Sequence, residues 1–280
     1  INYPTYEFCK SRWPDKTNFI PHSVADIYRP LPEEDCKRYK HQLLNGKCDD
    51  HFVAVWVNRN ARRKQPGDIL LSWKLFLDKL EAAHGHRKAT LIMHTDPYDK
   101  EGTNLFVVAD MLGIKGNVFF STARFEFEQM NVLFNISDIA VTTSSAEGHG
   151  IMTHEAMQCG KPIVALAVGG LRRQVIDHRD GFEHGVALEP DVTTLSGSQQ
   201  VPYIADYYVT QEKVADALMK MHEMGPEKRA EVGKRAREYV MSEFSMKKMV
   251  DDWDRTLWDL IDRWKADRSS VYKPWASVAL

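Results

Sequence analysis

The chain reads as an α/β fold built on a parallel, doubly wound sheet. Two observations predict it. Short apolar, β-branched runs recur between residues 51 and 166, each bounded by polar or glycine-containing segments. Between them lie stretches whose apolar residues return at the helical period. Strands alternating with helices in this way form βαβ units, in which each helix crosses between two parallel strands.

The elements follow in order. Residues 1–32 carry Pro4, Pro14, Pro21, Pro30 and Pro32 and read as a linker with short pieces of structure, because proline is costly inside a helix. His51 to Val57 reads as the first strand. Gly67 to Ala83 has apolar residues at Ile69, Leu70, Trp73, Phe76, Leu77 and Leu80, a helical period. Ala89 to His94 is the next strand, and Thr103 to Leu112 a helix ended by Gly113. Asn117 to Ser121, Ile139 to Thr142 and Pro162 to Leu166 read as further strands. Thr193 to Tyr208 breaks the alternation and reads as an inserted loop. Its Tyr203, Tyr207 and Tyr208 are expected to cover an apolar patch rather than to bind sugar. Three helices are expected over 210–222, 226–241 and 246–265. Trp253, Leu257, Trp258 and Ile261 form an apolar stripe on the last.

Composition narrows the function classes. With 43% hydrophobic and 27% charged residues, the balance is that of a globular protein. A net charge of -2 gives no reason to expect nucleic acid or an anionic membrane as partner. No apolar run is long enough for a transmembrane segment, and no signal peptide opens the sequence. Cys9, Cys36, Cys48 and Cys159 have neither zinc-site nor disulfide-framework spacing. A reduced, cytoplasmic setting is expected.

The segment Ser144 to Met157 holds the candidate site. An apolar strand, Asp138 to Thr142, leads into a glycine-flanked turn, and a helix is expected from about Gly150 to Cys159. A helix start offers unpaired backbone N–H groups and the positive end of the helix dipole, which suit an anionic or polyhydroxylated ligand. Glu147 lies before the helix and Glu155 within it, so two carboxylates could grip hydroxyls on two parts of one ligand. A second cluster, Asn58 to Gly67, follows the first strand. Cations at a strand's carboxyl end stand where open α/β sheets bind ligands. Arg59 could offer a planar fork to phosphate and Lys64 a compact charge. Arg62 and Arg63 read as surface charges. His149 and His154, at i and i+5, do not share a helical face, and no metal site is expected. Gly148-His149-Gly150 lacks the third glycine of a dinucleotide fingerprint.

At these residues the chain resembles the retaining glycosyltransferases of GT-B architecture, whose signature is Glu, seven residues, Glu. Here it reads Glu147-Gly148-His149-Gly150, then Glu155-Ala156-Met157. Cys159-Gly160-Lys161-Pro162-Ile163-Val164-Ala165, the pair Gly169-Gly170, and Asp180-Gly181 with Gly185-Val186 resemble the family's later motifs. Arg59 and Lys64 keep the spacing of its basic motif, with Asn58 and Gln65 in place of glycines. Asn18 to Val24 resembles the segment that joins the family's two domains. The resemblance covers roughly residues 19 to 190.

The resemblance implies a Rossmann-like, donor-binding C-terminal half, with most of the N-terminal acceptor domain absent from this sequence. The implied division is 1–32 as a remnant of that domain and linker, 33–241 as the nucleotide-sugar domain, and 242–280 as a C-terminal crossing helix and tail. The apolar stripe suits a helix crossing back onto the first domain, or equally one packing on its own domain. The implied activity is transfer of a hexose from a nucleoside-diphosphate sugar to a hydroxyl of a carbohydrate, lipid or protein acceptor, with retention and without a metal or other cofactor. Arg59 and Lys64 would stabilise the departing diphosphate. Glu147 would accept from the donor sugar's hydroxyls and Glu155 from the ribose. Gly148, His149, Gly150, Ile151, Met152 and Thr153 would present backbone N–H groups to sugar and phosphate. Phe120, Ser121, Thr122 and Arg124 would border the base. A nucleotide-sugar epimerase or hydrolase of the same architecture, or a non-catalytic nucleotide-sugar binding module, is the alternative.

Overall fold

A computed structural model describes residues 3–46 and 48–266. Residues 1–2 of the expected linker and 267–280 of the expected tail lie outside the described residues. Helix α1 (Tyr3–Arg12) and a 3-10 turn (Pro14–Lys16) come first, then α2 (Glu33–Leu43). Strand and helix then alternate: β1 (Phe52–Val57), α3 (Pro66–His84), β2 (Ala89–His94), α4 (Leu105–Met111), β3 (Val118–Ser121) and α5 (Phe127–Asn135). The second half runs β4 (Ile139–Thr142), α6 (Ile151–Gln158), β5 (Ile163–Leu166), α7 (Gly169–Val175) and β6 (Gly185–Leu188). A hairpin, β7 (Val192–Leu195) and β8 (Ala205–Tyr208), precedes α8 (Gln211–Glu223), α9 (Gly225–Glu243) and α10 (Met246–Ala266).

The six strands of the main sheet lie in the order β3-β2-β1-β4-β5-β6, and every pairing in it is parallel. The order reverses between β1 and β4, which opens a crevice at their carboxyl ends. Both faces of the sheet are covered, which explains the unbroken apolar runs. On β1, Phe52, Ala54 and Trp56 enter one core with Trp73, Phe76 and Leu77 of α3. Val53 and Val55 enter the other, with Phe134, Ala156 and Tyr239. This alternation is the two-residue period of a strand.

The linker segment is bound to the sheet domain. The backbone N–H groups of Arg29 and Leu31 donate to the side-chain oxygens of Asn131 and Asn135, each at 2.9 Å. Asn135 returns a bond to the Arg29 carbonyl at 2.9 Å. Tyr28 is buried against Phe134.

One expectation is corrected. Residues 193–208 are not a loop: they are the greater part of an antiparallel hairpin, with Val192 opposite Tyr208 and Leu195 opposite Ala205. Val192-Thr193-Thr194-Leu195 is β-branched in three of four positions and favours a strand. Its four residues are exposed, so no buried face marks it in the sequence. Tyr207 packs against the core, whereas Tyr203 and Tyr208 are exposed, Tyr203 to 77%. On α10 the stripe of Trp253, Leu257, Trp258 and Ile261 faces outward.

A half-buried ion pair ties the start of β4 to α9. Asp138 accepts from Arg229 at 2.8 Å and from the Val53 backbone N–H at 2.8 Å, while the guanidinium also reaches the Met221 carbonyl at 3.0 Å. Breaking a fully buried pair costs about 3–5 kcal/mol. Asp138 keeps some solvent contact, so Arg229→Ala should lower stability by about 2–3 kcal/mol in urea unfolding. A loss within the roughly 0.5 kcal/mol of an ordinary surface change would show that the pair is dispensable.

Candidate functional site

The crevice between the carboxyl ends of β1 and β4 holds a cleft of about 460 Å³. Its walls come from the turn after β1, the loop after β4 and the start of α6. The 3-10 turn Arg62–Lys64 ends on Gln65 at φ 51°, a left-handed conformation unusual outside glycine. Gln65 is buried, and its amide donates to the Tyr207 carbonyl at 3.2 Å. That bond offsets part of the strain of having no glycine there. The turn aims Lys64 and Arg63 into the cleft.

Lys64 pairs with Glu147, both side chains being almost buried at 12% and 11% exposure. Burial lowers the Lys64 ammonium below its usual range, although Glu147 pulls it the other way. Arg63 stands 3.5 Å from the same carboxylate and donates to the Ala146 carbonyl at 3.1 Å. Arg59 does not line the cleft. It is bound on two atoms to Asp99, at 2.6 and 3.0 Å. The expected basic pair is therefore separated, and Arg63, read from sequence as a surface charge, is exposed yet reaches the rim of the cleft. Adjacency to Lys64 was its only signal.

The loop carrying Glu147 is fixed by α7. The Gly170 N–H donates to the Glu147 carbonyl at 3.0 Å. A Cβ on Gly170 would stand 2.4 Å from the Gly148 carbonyl oxygen, so only glycine allows this approach. Gly150 has φ 91° and caps α6 without a side-chain bond. The N–H groups at Ile151, Met152 and Thr153 thus open onto the cleft with the dipole behind them. The Thr153 hydroxyl donates to Gln174 at 2.6 Å, and the Gln174 amide donates to the His149 carbonyl at 2.7 Å. His149 Nε2 lies 3.1 Å from His154 Nδ1. Burial pushes the two imidazoles down, to about 4 and about 3, so both are neutral near pH 7. Among the described residues no group of three or more His, Cys, Asp or Glu is arranged to hold a metal ion.

Glu155 lines the far side of the cleft. Residues given no role from sequence also line it, among them His22 and Leu171, as does Asn58 of the basic cluster. The Asn58 amide nitrogen is buried without a hydrogen-bond partner, a donor held at the cleft wall. Phe120, Ser121, Thr122 and Arg124 lie outside this cleft, at the carboxyl end of β3. Phe120 packs on Phe106 with ring centres 4.6 Å apart, and Ser121 Oγ is 2.9 Å from His94 Nδ1.

Burial raises the Glu155 carboxyl to about 7, while a hydrogen bond from Tyr28 draws it back. The folded value lies above the ordinary 4.5. The protonated acid therefore stabilises the fold fully below about pH 4.5, and that contribution is lost as pH rises through about 7. The stability of the wild type relative to Glu155→Gln should fall across this window, by at most about 1.4 kcal/mol per pH unit. Urea unfolding at several pH values measures it. A difference independent of pH would mean that folding leaves the carboxyl's pKa unchanged.

Residues 45–191, more than half of the chain, match the family described as glycosyl transferases group 1. The D-inositol 3-phosphate glycosyltransferase of Mycolicibacterium smegmatis is 38% identical over 165 residues, 57% of this chain and 36% of that protein. The chain spans about a third of the length of the curated relatives it matches. Sucrose-phosphate synthase from Thermosynechococcus elongatus superposes with a TM-score of 0.69, at 20% identity, over 94% of this chain and 58% of that one. HepE of Anabaena, solved with UDP and glucose, superposes with a TM-score of 0.63 at 20% identity, over 85% of this chain and 55% of its own. The matched segment contains β1 to β6, the Lys64 turn and the Glu147 loop. With its Rossmann-like sheet shared with GT-B enzymes, the chain belongs to the glycosyl transferases group 1 family.

Proposed function

We propose that the chain is the donor-binding half of a retaining, metal-independent glycosyltransferase that moves a hexose from a nucleoside diphosphate to an acceptor hydroxyl. The observation that carries this reading is the buried Lys64–Glu147 pair at the uncapped start of α6. It puts a cation, free N–H groups and a carboxylate within one cleft. Lys64, Arg63 and the N–H groups at 151–153 would hold the diphosphate, and their positive charge would favour its departure. The orphan Asn58 amide supplies a further donor. Glu147 would accept from the sugar's hydroxyls and Glu155 from the ribose. A departing phosphate oxygen would take the acceptor's proton, so that no protein nucleophile is needed. Arg59 would contribute only by leaving Asp99. The base is proposed to lie toward Phe120, Ser121, Thr122 and Arg124. The outward stripe on α10 suits contact with an acceptor-binding domain. HepE, solved with UDP and glucose, makes UDP-glucose the first donor to try.

Titration calorimetry of the chain, in EDTA, against UDP, GDP and ADP and their glucose and mannose conjugates tests the reading. Binding of one nucleotide series is expected, and binding of none would end it. Lys64→Ala should weaken the bound diphosphate by about 1.5–3 kcal/mol, and Arg59→Ala by less. Equal losses would return Arg59 to the phosphate.

The ion pair also predicts an asymmetry between the two glutamates. A diphosphate must take Lys64 from Glu147. Glu147→Gln should therefore leave free diphosphate affinity unchanged or raised, while weakening the intact sugar conjugate by about 1–3 kcal/mol. Glu155→Gln should weaken both ligands. Calorimetry with both variants and both ligands decides it. Equal loss of the free diphosphate in the two variants would remove this division of roles.

A further inference from the structure

The hydrogen bonds behind His149 run in one direction. His154 and Gln158 stand one turn apart on α6, and both are fully buried. The Gln158 amide nitrogen lies 3.5 Å from His154 Nε2. An amide nitrogen carries protons and cannot accept, so His154 Nε2 is the acceptor. A neutral imidazole holds a single proton, and burial keeps both rings neutral near pH 7. The His154 proton is therefore on Nδ1, which lies 3.1 Å from His149 Nε2. His149 Nε2 must then accept, and the proton of that ring is on Nδ1.

The ring of His149 is held so that this proton faces the cleft. Its backbone is pinned: the carbonyl accepts from Gln174 at 2.7 Å, and a Cβ on Gly170 would stand 2.5 Å from the His149 Cα. His154, Phe244 and His22 meet the ring edge to face, with ring centres 5.4, 5.7 and 5.6 Å away. The two nitrogens of an imidazole point away from one another. With Nε2 turned inward to buried His154, Nδ1 is turned outward, and His149 lines the donor cleft. Among the described residues Nδ1 has no hydrogen-bond partner, and it is not one of the buried unpartnered atoms.

The place suits an uncharged donor. His149 immediately precedes the start of α6, where the dipole already favours an anion. A charged imidazole would repel Lys64 and Arg63 across the cleft, whereas a neutral one adds an N–H without that cost.

We propose that the His149 side chain is a catalytic residue of the donor site, donating its Nδ1–H to an oxygen of the nucleoside diphosphate, with His154 and Gln158 as positioning residues that hold it in that tautomer. The proposal rests on the donor reading above and gives the imidazole a part beside the backbone N–H groups. A bond to that oxygen strengthens as the diphosphate departs and its negative charge grows.

Two measurements on the full chain test it. Proton–nitrogen correlation NMR with isotope-labelled histidine reads the tautomers, His149 being assigned by the signals lost in His149→Phe. His149 and His154 should both carry their proton on Nδ1. A proton on His149 Nε2, as a reversed chain of bonds would give, overturns the proposal whatever the chain binds. Calorimetry with UDP, GDP and ADP reads the contact. His149→Phe keeps a ring against Phe244 but removes the N–H, and should weaken the bound diphosphate about tenfold or more. His149→Asn, whose short amide can place an N–H where Nδ1–H stands, should recover most of that loss. Equal affinity in wild type and His149→Phe overturns the proposal and leaves the donor reading intact. A loss that His149→Asn does not relieve marks a packing effect and also overturns it. Binding of no diphosphate by the wild type would instead overturn the donor reading itself.

Discussion

All six strands of the main sheet run the same way, and the remaining architecture follows from that constraint. Parallel neighbours cannot be joined by a tight turn, so each connection must cross a face of the sheet. Winding outward from β1 in both directions covers both faces and leaves one place, above β1 and β4, where no connection crosses. The loops leaving these two strands therefore meet there. Lys64 comes from one and Glu147 from the other, although 83 positions separate them in the chain. Their pairing depends on strand order, and strand order on the crossovers.

The pair gives the cleft an electrostatic balance. A buried ammonium without a partner would carry a large desolvation penalty, and so would a buried carboxylate. Each supplies the other's counter-charge. Arg63, 3.5 Å from Glu147, adds a second and more exposed counter-charge to that carboxylate. The close contact at Gly170 keeps the loop that carries Glu147 in place.

Much of this was legible in the sequence because the relevant signals are local. β1 shows itself as an apolar run because both of its faces are buried, and the α6 start shows itself through Gly148 and Gly150. The two-glutamate segment and Lys64 lie where their places in the strand–loop–helix pattern put them. Other features depend on information that no local pattern carries. The hairpin was hidden because β7 is exposed on both faces and lacks the buried alternation that marks a strand. That the exposed Arg63 stands beside Glu147 depends on where the loop after β4 lies, which no pattern around residue 63 shows. Arg59 meets Asp99 only through the neighbouring strand β2 and its loop. Tyr28 and Glu155 become partners only once the linker has folded against α5 and α6.

That last contact has a mechanical meaning. The linker residues Tyr28 to Leu31 have no slack: Asn131 and Asn135 hold the backbone at Arg29 and Leu31, and the Tyr28 side chain stands beside Glu155 at the cleft. A pull on the preceding segment is therefore not absorbed by loose chain. It loads the bonds to Asn131 and Asn135, and through them the helix packed beneath the sheet.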